Sequence, residues 1–204
     1  MPMLDDPSEH PTTPVQSSIV SLASMGNGLQ PVDIGTFRAI MGSLPTGVCV
    51  ISAIDKDNEP RGLTCNAVCS LSQDPPLLMV CVDLLKESLH ALRDSRGFVV
   101  NILREDRSQV SQLFASRSAS KFDGVFWESS AVLKLPLLTT DVLAYAECRI
   151  VADLEVGDHA VLVGAIVGGE PPLTGRPLMY WQRDYSNWPE AALPNGMGRP
   201  TNSA

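Results

Sequence analysis

The sequence predicts a mainly β domain, an antiparallel barrel with peripheral helices, on three observations. Six or so strand-like runs rich in Val, Ile and Leu are separated by compact turn chemistry. Helical stretches are inserted among them rather than alternating with every strand, so the doubly wound parallel arrangement is not expected. The strongest turn signal, Gly157-Asp158, joins two long apolar runs into a hairpin.

Residues 1–32 carry Pro, Ser, Thr, Gly and Asn without lasting periodicity and read as a flexible arm. Asp33 then caps a short helix, DIGTFRAIMGSL, with Phe37, Ile40, Met41 and Leu44 on one face, and Pro45-Thr46-Gly47 ends it. GVCVISAID, RGLTCNAVCSLS and PPLLMVCVD read as three strands, divided by turns at DKDNEP and SQDPP. KESLHALRDS reads as a helix closed by Gly97, and FVVNIL as the next strand. RSQVSQLFAS is a further short helix with Val110, Leu113 and Phe114 on one stripe. AYAECRIVADLEV and HAVLVGAIVGGE flank the Gly157-Asp158 turn, and PLMYWQRDYS adds a last strand. Residues 189–204 are poor in core formers and read as a flexible tail, which leaves 33–188 as the folded domain.

Composition bounds the function. The chain has 204 residues, 44% of them hydrophobic, and no apolar run near the roughly 20 residues of a membrane span, so no membrane partner is expected. Fifteen basic against 23 acidic residues give a formal charge of −8, which excludes a field that gathers nucleic acid. Any anionic ligand must therefore be held by local groups. Five scattered cysteines, without a C-x-x-C pair, suit reduced thiols and a cytoplasmic location, and the acidic, proline-rich N-terminus does not read as a secretion signal.

Several chemistries lack their motifs. No G-x-G-x-x-G follows a strand, and neither a phosphate-binding G-x-x-x-x-G-K-[ST] loop nor a G-x-S-x-G elbow occurs. His10, His90 and His159 are far apart, so no metal site is expected. Hydride transfer to a flavin is one reaction that needs no strong acid, base or nucleophile from the protein.

From Phe37 to about Trp188 the sequence resembles the short-chain NAD(P)H:flavin reductases of the FMN-binding split-barrel class. The resemblance is carried by LPTGVCVIS, RGLTCNAVCSLSQDPPLLMVCVD, the Ser88 helix, FVVNIL, and an S-x-x-F-A / K-F-x-G-x-x-W series (Ser111, Phe114, Ala115, Lys121, Phe122, Gly124, Trp127). GDHAVLVGAI and PLMYWQRDY complete it. The resemblance implies an antiparallel split β-barrel and reduction of FMN or FAD by NADH or NADPH. It also implies a homodimer that feeds reduced flavin to a partner monooxygenase.

By the same resemblance, Gly62, Leu63, Thr64, Cys65, Asn66 and Ala67 line the flavin ring and ribityl chain, small residues letting main-chain groups reach the ring edges. Cys81, Val82 and Asp83 continue the pocket, and Phe114 belongs to it. Ser88, at a helix N-terminus, is the implied phosphate ligand, with Lys86 adding charge. Ala67 stands where such proteins often carry Ser. His159 falls where these proteins place a histidine near the nicotinamide, and Tyr185 where an aromatic approaches the dinucleotide. Stacking nicotinamide on flavin makes orientation a main source of rate.

Plainer readings stand beside these. Cys65 and Cys69, four apart, read as a small core pair on one strand face. His159 also reads as a surface residue, Ser88 as a helix cap, Tyr185 as a barrel-edge aromatic and Asp83 as a strand-end turn residue. The alternative function is a split-barrel protein that binds flavin, haem or deazaflavin without nicotinamide turnover. A pyridoxamine-phosphate-type oxidase fits less well, because no basic constellation suits a second phosphorylated substrate.

Overall fold

A computed structural model describes residues 30–172 and 174–186, so most of the expected arm, the tail and Trp188 lie outside the described residues. In chain order the elements are α1 (Ile34–Gly42), β1 (Thr46–Gly47), β2 (Cys49–Ile54), β3 (Pro60–Cys65), β4 (Val68–Ser72), β5 (Leu77–Asp83) and α2 (Glu87–Ser95). There follow β6 (Gly97–Leu103), α3 (Ser108–Ala115), a 3₁₀ turn (Lys121–Gly124), β7 (Glu128–Ser129) and β8 (Pro136–Leu137). The long pair β9 (Val142–Val156) and β10 (His159–Glu170) precedes β11 (Met179–Trp181) and β12 (Asp184–Ser186).

One antiparallel sheet of seven strands, in the order β3-β2-β6-β9-β10-β5-β4, makes the barrel wall. Its two ends, β3 and β4, are consecutive in sequence. RGLTCNAVCSLS is therefore two strands and not one: β3 pairs with β2, β4 pairs with β5, and Asn66-Ala67 carries the chain from one edge to the other. The Cys81 N–H donates to the Ala67 carbonyl at 3.0 Å, which carries the β4–β5 ladder one rung further, up to the seam. Bulky side chains there would have to fit both edges at once.

Burial explains the strand patterns. On β5, Leu78, Val80 and Val82 point inward and their neighbours are half-buried, the alternation of a one-sided strand. On β2 every residue from Cys49 to Ala53 is buried, because both faces are covered. Cys49, Ile51 and Ala53 face the barrel interior with Leu89 and Leu92 of α2, while Val50 faces a second core with Leu103, Phe114, Phe122, Leu138 and Leu178. Burying each such side chain contributes roughly 1.5–3 kcal/mol.

At the predicted hairpin, His159 pairs with Val156 across Gly157-Asp158, and Gly157 takes φ 61°, a conformation glycine adopts without a Cβ penalty.

Three details differ from the expectation. The residue closing α2 in the left-handed conformation is Arg96, at φ 50°, and Gly97 is already the buried first residue of β6. PLMYWQRDYS is a hairpin of two short strands, β11 and β12, turned by Gln182 and Arg183 at φ 50° and 66°, so the usual Asn-Gly turn signal is missing. Cys65 and Cys69 are no core pair: the seam lies between them, leaving Cys65 buried and Cys69 exposed. All five cysteines are free thiols, and burial pushes Cys49 up to about 12 and Cys65 up to about 11.

Asp33 caps α1 as expected, accepting from Gly35 and Thr36 N–H groups at 2.8 and 3.1 Å. Its apolar face is uncovered, however, with Phe37 52%, Ile40 57% and Leu44 55% exposed.

Among the described residues the buried polar side-chain atoms are hydrogen-bonded except Arg107 Nε, which instead stands 3.0 Å from the Asp141 carboxylate as an ion pair. Asn101 donates to the Val50 carbonyl and Ser52 hydroxyl and accepts from Leu138 N–H, tying β2, β6 and the chain after β8 together. Glu147, fully buried on β9, accepts from the Ser130 hydroxyl at 2.6 Å and the Leu133 N–H at 2.6 Å, with Val132 N–H adding a third donor. Burial alone disfavours its charge. The N–H of Leu133, the Ser130 hydroxyl, the Val132 N–H and the charge of Lys134 outweigh that and hold its carboxyl below the usual range.

Candidate active site

A cavity of about 370 Å³ opens where β3, the start of α2, the end of α3 and the 3₁₀ turn converge. Its wall on β3 is set by Gly62. A Cβ there would stand 2.8 Å from the Phe114 ring, so glycine is what lets α3 close on the strand. The Gly62 carbonyl accepts from the Ser88 hydroxyl at 3.0 Å and from the Lys121 ammonium at 3.2 Å. Lys121 also donates to the Phe114 carbonyl at 2.8 Å. These bonds clamp strand, both helices and turn around the cavity. Farther along β3, Thr64 donates to the Ser111 carbonyl at 2.5 Å, and Ser111 in turn shares a 2.9 Å hydrogen bond with the Tyr185 hydroxyl.

The electrostatics distinguish this cavity from the rest of an acidic chain. Arg61 is spent on Asp55 at 2.8 Å, but Lys86, Arg117 and Lys121 have no carboxylate within 4.0 Å among the described residues. Burial lowers the pKa of Lys121, neighbouring Lys86 lowers it further, and Glu87 partly opposes them. Two like charges held together, with Glu87 offsetting them only in part, favour an anion between them. The Ser118 hydroxyl and the unbonded first-turn N–H groups inherent to α2 add neutral donors, while the Ser116 hydroxyl already donates to the Leu113 carbonyl at 2.7 Å.

The cavity gathers Gly62, Leu63, Thr64, Asp83, Lys86, Ser88 and Phe114 from the predicted set. Ser88 does not cap α2; its hydroxyl proton goes to Gly62. Asp83 makes a strand-end turn as well, its carboxylate accepting from Leu85 N–H at 2.8 Å. Side chains of Leu63, Cys65 and Val82 belong to the barrel core, so only their main chain faces outward; the alternation of the strands requires it. Asn66 and Ala67 are exposed at the seam, where the Asn66 amide donates to Thr46 at 3.2 Å, and Cys81 stands half-buried on its other edge.

His159 and Tyr185 do not line the cavity. His159 lies directly across from Asp83 in the sheet, its Nδ1 2.7 Å from Asp158, and that hydrogen bond with the imidazole holds the Asp158 carboxyl below its ordinary range. Tyr185 packs edge-on to Tyr180 and closes the second core. Arg117, Lys121, Ser116 and Ser118 were not expected among the ligand-binding residues. Lys121 opens the K-F-x-G-x-x-W half of the series, whereas Ser116, Arg117 and Ser118 fall in the gap between its halves, where the sequence carries no signal.

The description "Flavin reductase like domain" matches residues 41–189. The chain belongs to this flavin reductase family. Among its relatives, a flavin reductase (NADH) of Kitasatospora aureofaciens is 46% identical over 159 residues, covering 78% of this chain and 83% of that protein. The reductase component of a 4-nitrophenol 4-monooxygenase/4-nitrocatechol 2-monooxygenase from Rhodococcus opacus is 35% identical over 175 residues, 86% of this chain and 91% of the other. In three dimensions, a Streptomyces globisporus NADH:FAD oxidoreductase, solved in complex with NAD and FAD fragments, superposes with a TM-score of 0.73 at 27% identity. That match covers 80% of this chain and 99% of the other. The flavin reductase fold, a mainly antiparallel barrel split between β3 and β4, is thus the one the sequence predicts.

The residues of the cavity fit a phosphorylated ligand with a flat ring: unpaired cations for the anion, and beside them the Gly62–Thr64 stretch of β3 for the ring. Among the described residues no helix is long and apolar enough to cross a membrane.

Proposed function

We propose that the protein is an NAD(P)H:flavin oxidoreductase that reduces FMN or FAD and passes reduced flavin to a partner monooxygenase. The observation that carries this reading is the cavity that sets three cations without carboxylate partners among the described residues, Lys86, Arg117 and Lys121, against the Gly62–Thr64 stretch of β3. Lys86 and Lys121 hold the flavin phosphate, with Ser88 beside them, and the β3 main chain from Gly62 onward lies along the ribityl chain and ring. Bound flavin supplies the hydride-accepting ring, which is why the chain needs no acid, base or nucleophile of its own. The work left to the residues is orientation and exclusion of water.

His159 is assigned to the nicotinamide side. Asp158, kept ionised, accepts from Nδ1–H and leaves Nε2 to meet the dinucleotide. Replacing His159 with alanine is expected to raise KM for the dinucleotide about tenfold, the worth of one hydrogen bond, with a smaller change for flavin. Steady-state kinetics with both substrates varied would show it, and unchanged constants for both would remove His159 from the site.

The decisive experiment follows NADH and NADPH oxidation by absorbance with no flavin, with FMN and with FAD. Turnover that requires added flavin is expected. A tightly held coloured ligand without turnover would instead favour a binding protein.

The protein acts as a homodimer in this reading. Ile34, Phe37, Ile40 and Met41 of α1, with Val32 and Leu44 flanking it, are all exposed, more apolar surface than a monomer ordinarily leaves in water. Sedimentation at micromolar concentration should give twice the chain mass of 21.9 kDa, and Ile40→Asp should return it to a single chain. A wild-type monomer would overturn the assignment.

A further inference from the structure

We infer that Tyr185 is a positioning residue for flavin, which acts through Ser111 on the Thr64 hydroxyl and fixes that hydroxyl as an acceptor for the ribityl chain. The inference rests on the reading of the cavity as a flavin site and adds to it the two residues that set the polarity of one wall.

The relay is continuous. Thr64 lines the cavity from β3 and gives its hydroxyl proton to the Ser111 carbonyl at 2.5 Å. A threonine hydroxyl has one proton, so what Thr64 offers a ligand is lone pairs, and the group that fits them is a hydroxyl donor. Ser111, fully buried in α3, shares a 2.9 Å hydrogen bond with the Tyr185 hydroxyl. One residue thus takes a bond at its side chain and another at its main chain, and the two join β12 to β3 by way of α3.

Tyr185 is well placed to act as the fixed end. Its ring packs edge-on to Tyr180 at 5.5 Å and lies against the second core, and Tyr180 pairs in turn with Thr46 of β1. At the other end of the relay, α3 is fastened to β3 at two separate points. Lys121 bonds the Gly62 and Phe114 carbonyls beside the phosphate position, and one turn earlier Thr64 and Tyr185 hold Ser111. Removing the Tyr185 hydroxyl therefore loosens the ribityl end and leaves the phosphate end fastened. Resemblance sets Tyr185 beside the dinucleotide, but the hydroxyl that such a contact would use is the one bonded to Ser111.

The experiment measures flavin binding by quenching of flavin fluorescence, which does not depend on turnover. Riboflavin carries the ribityl chain without phosphate, FMN carries both, and lumiflavin has a methyl group in place of the chain. Tyr185→Phe keeps the ring on Tyr180 and removes only the hydroxyl, leaving Ser111 to bond the carbonyl one helical turn back, so the variant folds. It is expected to raise Kd for riboflavin and for FMN by the same factor, about fivefold, the worth of one neutral hydrogen bond. Kd for lumiflavin and KM for NADH should not change. Thr64→Val should behave alike, and the double variant should bind riboflavin no more weakly than either single one, because both substitutions remove the same contact. An unchanged riboflavin Kd, an equal loss for lumiflavin, additive losses in the double variant, or a raised KM for NADH alone would each overturn the relay. Wild-type protein that binds riboflavin but oxidises no NADH with it would sink the reductase reading, while the binding comparison still decides the role of Tyr185. Wild-type protein that quenches none of the three flavins would overturn both.

Discussion

Replacing Gly62 with valine is expected to abolish flavin-dependent turnover and to destabilise the fold by roughly 1–3 kcal/mol, the usual cost of overpacking. The smallest addition, a Cβ, already meets the Phe114 ring at 2.8 Å and the Ile51 carbonyl at 3.2 Å. Phe114 is 1% exposed and wedged against Phe122 at 5.0 Å, so it cannot give way alone. The movement passes to α3, and with it go the Lys121 bonds to Gly62 and Phe114 and the Thr64 bond to Ser111. Urea unfolding and NADH oxidation with flavin, measured on one preparation, separate the two effects. A folded Gly62→Val variant with wild-type turnover would move the flavin site away from β3.

The second large effect is expected at Glu147, far from any ligand. Glu147→Ala removes the shared acceptor of Ser130, Val132 and Leu133 and should cost about 3–5 kcal/mol, as loss of one partner in a buried charged network does. Glu147→Gln, which keeps one acceptor oxygen, should cost less. The pH dependence has a definite sign. The folded carboxyl titrates below its ordinary value of 4.5, so its stabilisation is complete above that value and disappears as pH falls through the lower folded one. Wild-type urea midpoints should therefore fall below pH 4.5 by more than those of the glutamine variant. Parallel pH profiles for the two would show that Glu147 is not ionised in the native protein.

Much of the fold was legible in the sequence, and the exceptions have physical reasons. Alternation on β5 and the Gly157-Asp158 turn were readable because each is set by local residues alone. The break in RGLTCNAVCSLS was not, since nothing local says that Val68 pairs with Val80 while Thr64 pairs with Val50. Gln182-Arg183 carries no turn signature, and its left-handed pair is held by the surroundings, Gln182 N–H donating to the Gly42 carbonyl and Trp181 to the Ser43 carbonyl. For the site, family resemblance singled out β3, Lys86 and Ser88. Arg117 and Lys121 were missed as ligands because their significance depends on which cations lack a partner. Arg61 and Lys121 look alike in sequence, and only Asp55 beside the first tells them apart.

The seam at Asn66-Ala67 also has a bearing on how the chain folds. Two neighbouring residues join opposite ends of a seven-stranded sheet, so the seam acquires both of its walls only after every intervening strand is in register. Those pairings are distant: β2 must find β6, and β5 must find β10 some eighty residues away. Such topology makes for slow folding, whereas the Ala67–Cys81 bond belongs to the local β4–β5 hairpin and does not wait for it. Closure of the seam thus depends on distant pairings, while the β4–β5 hairpin that forms one of its walls needs none.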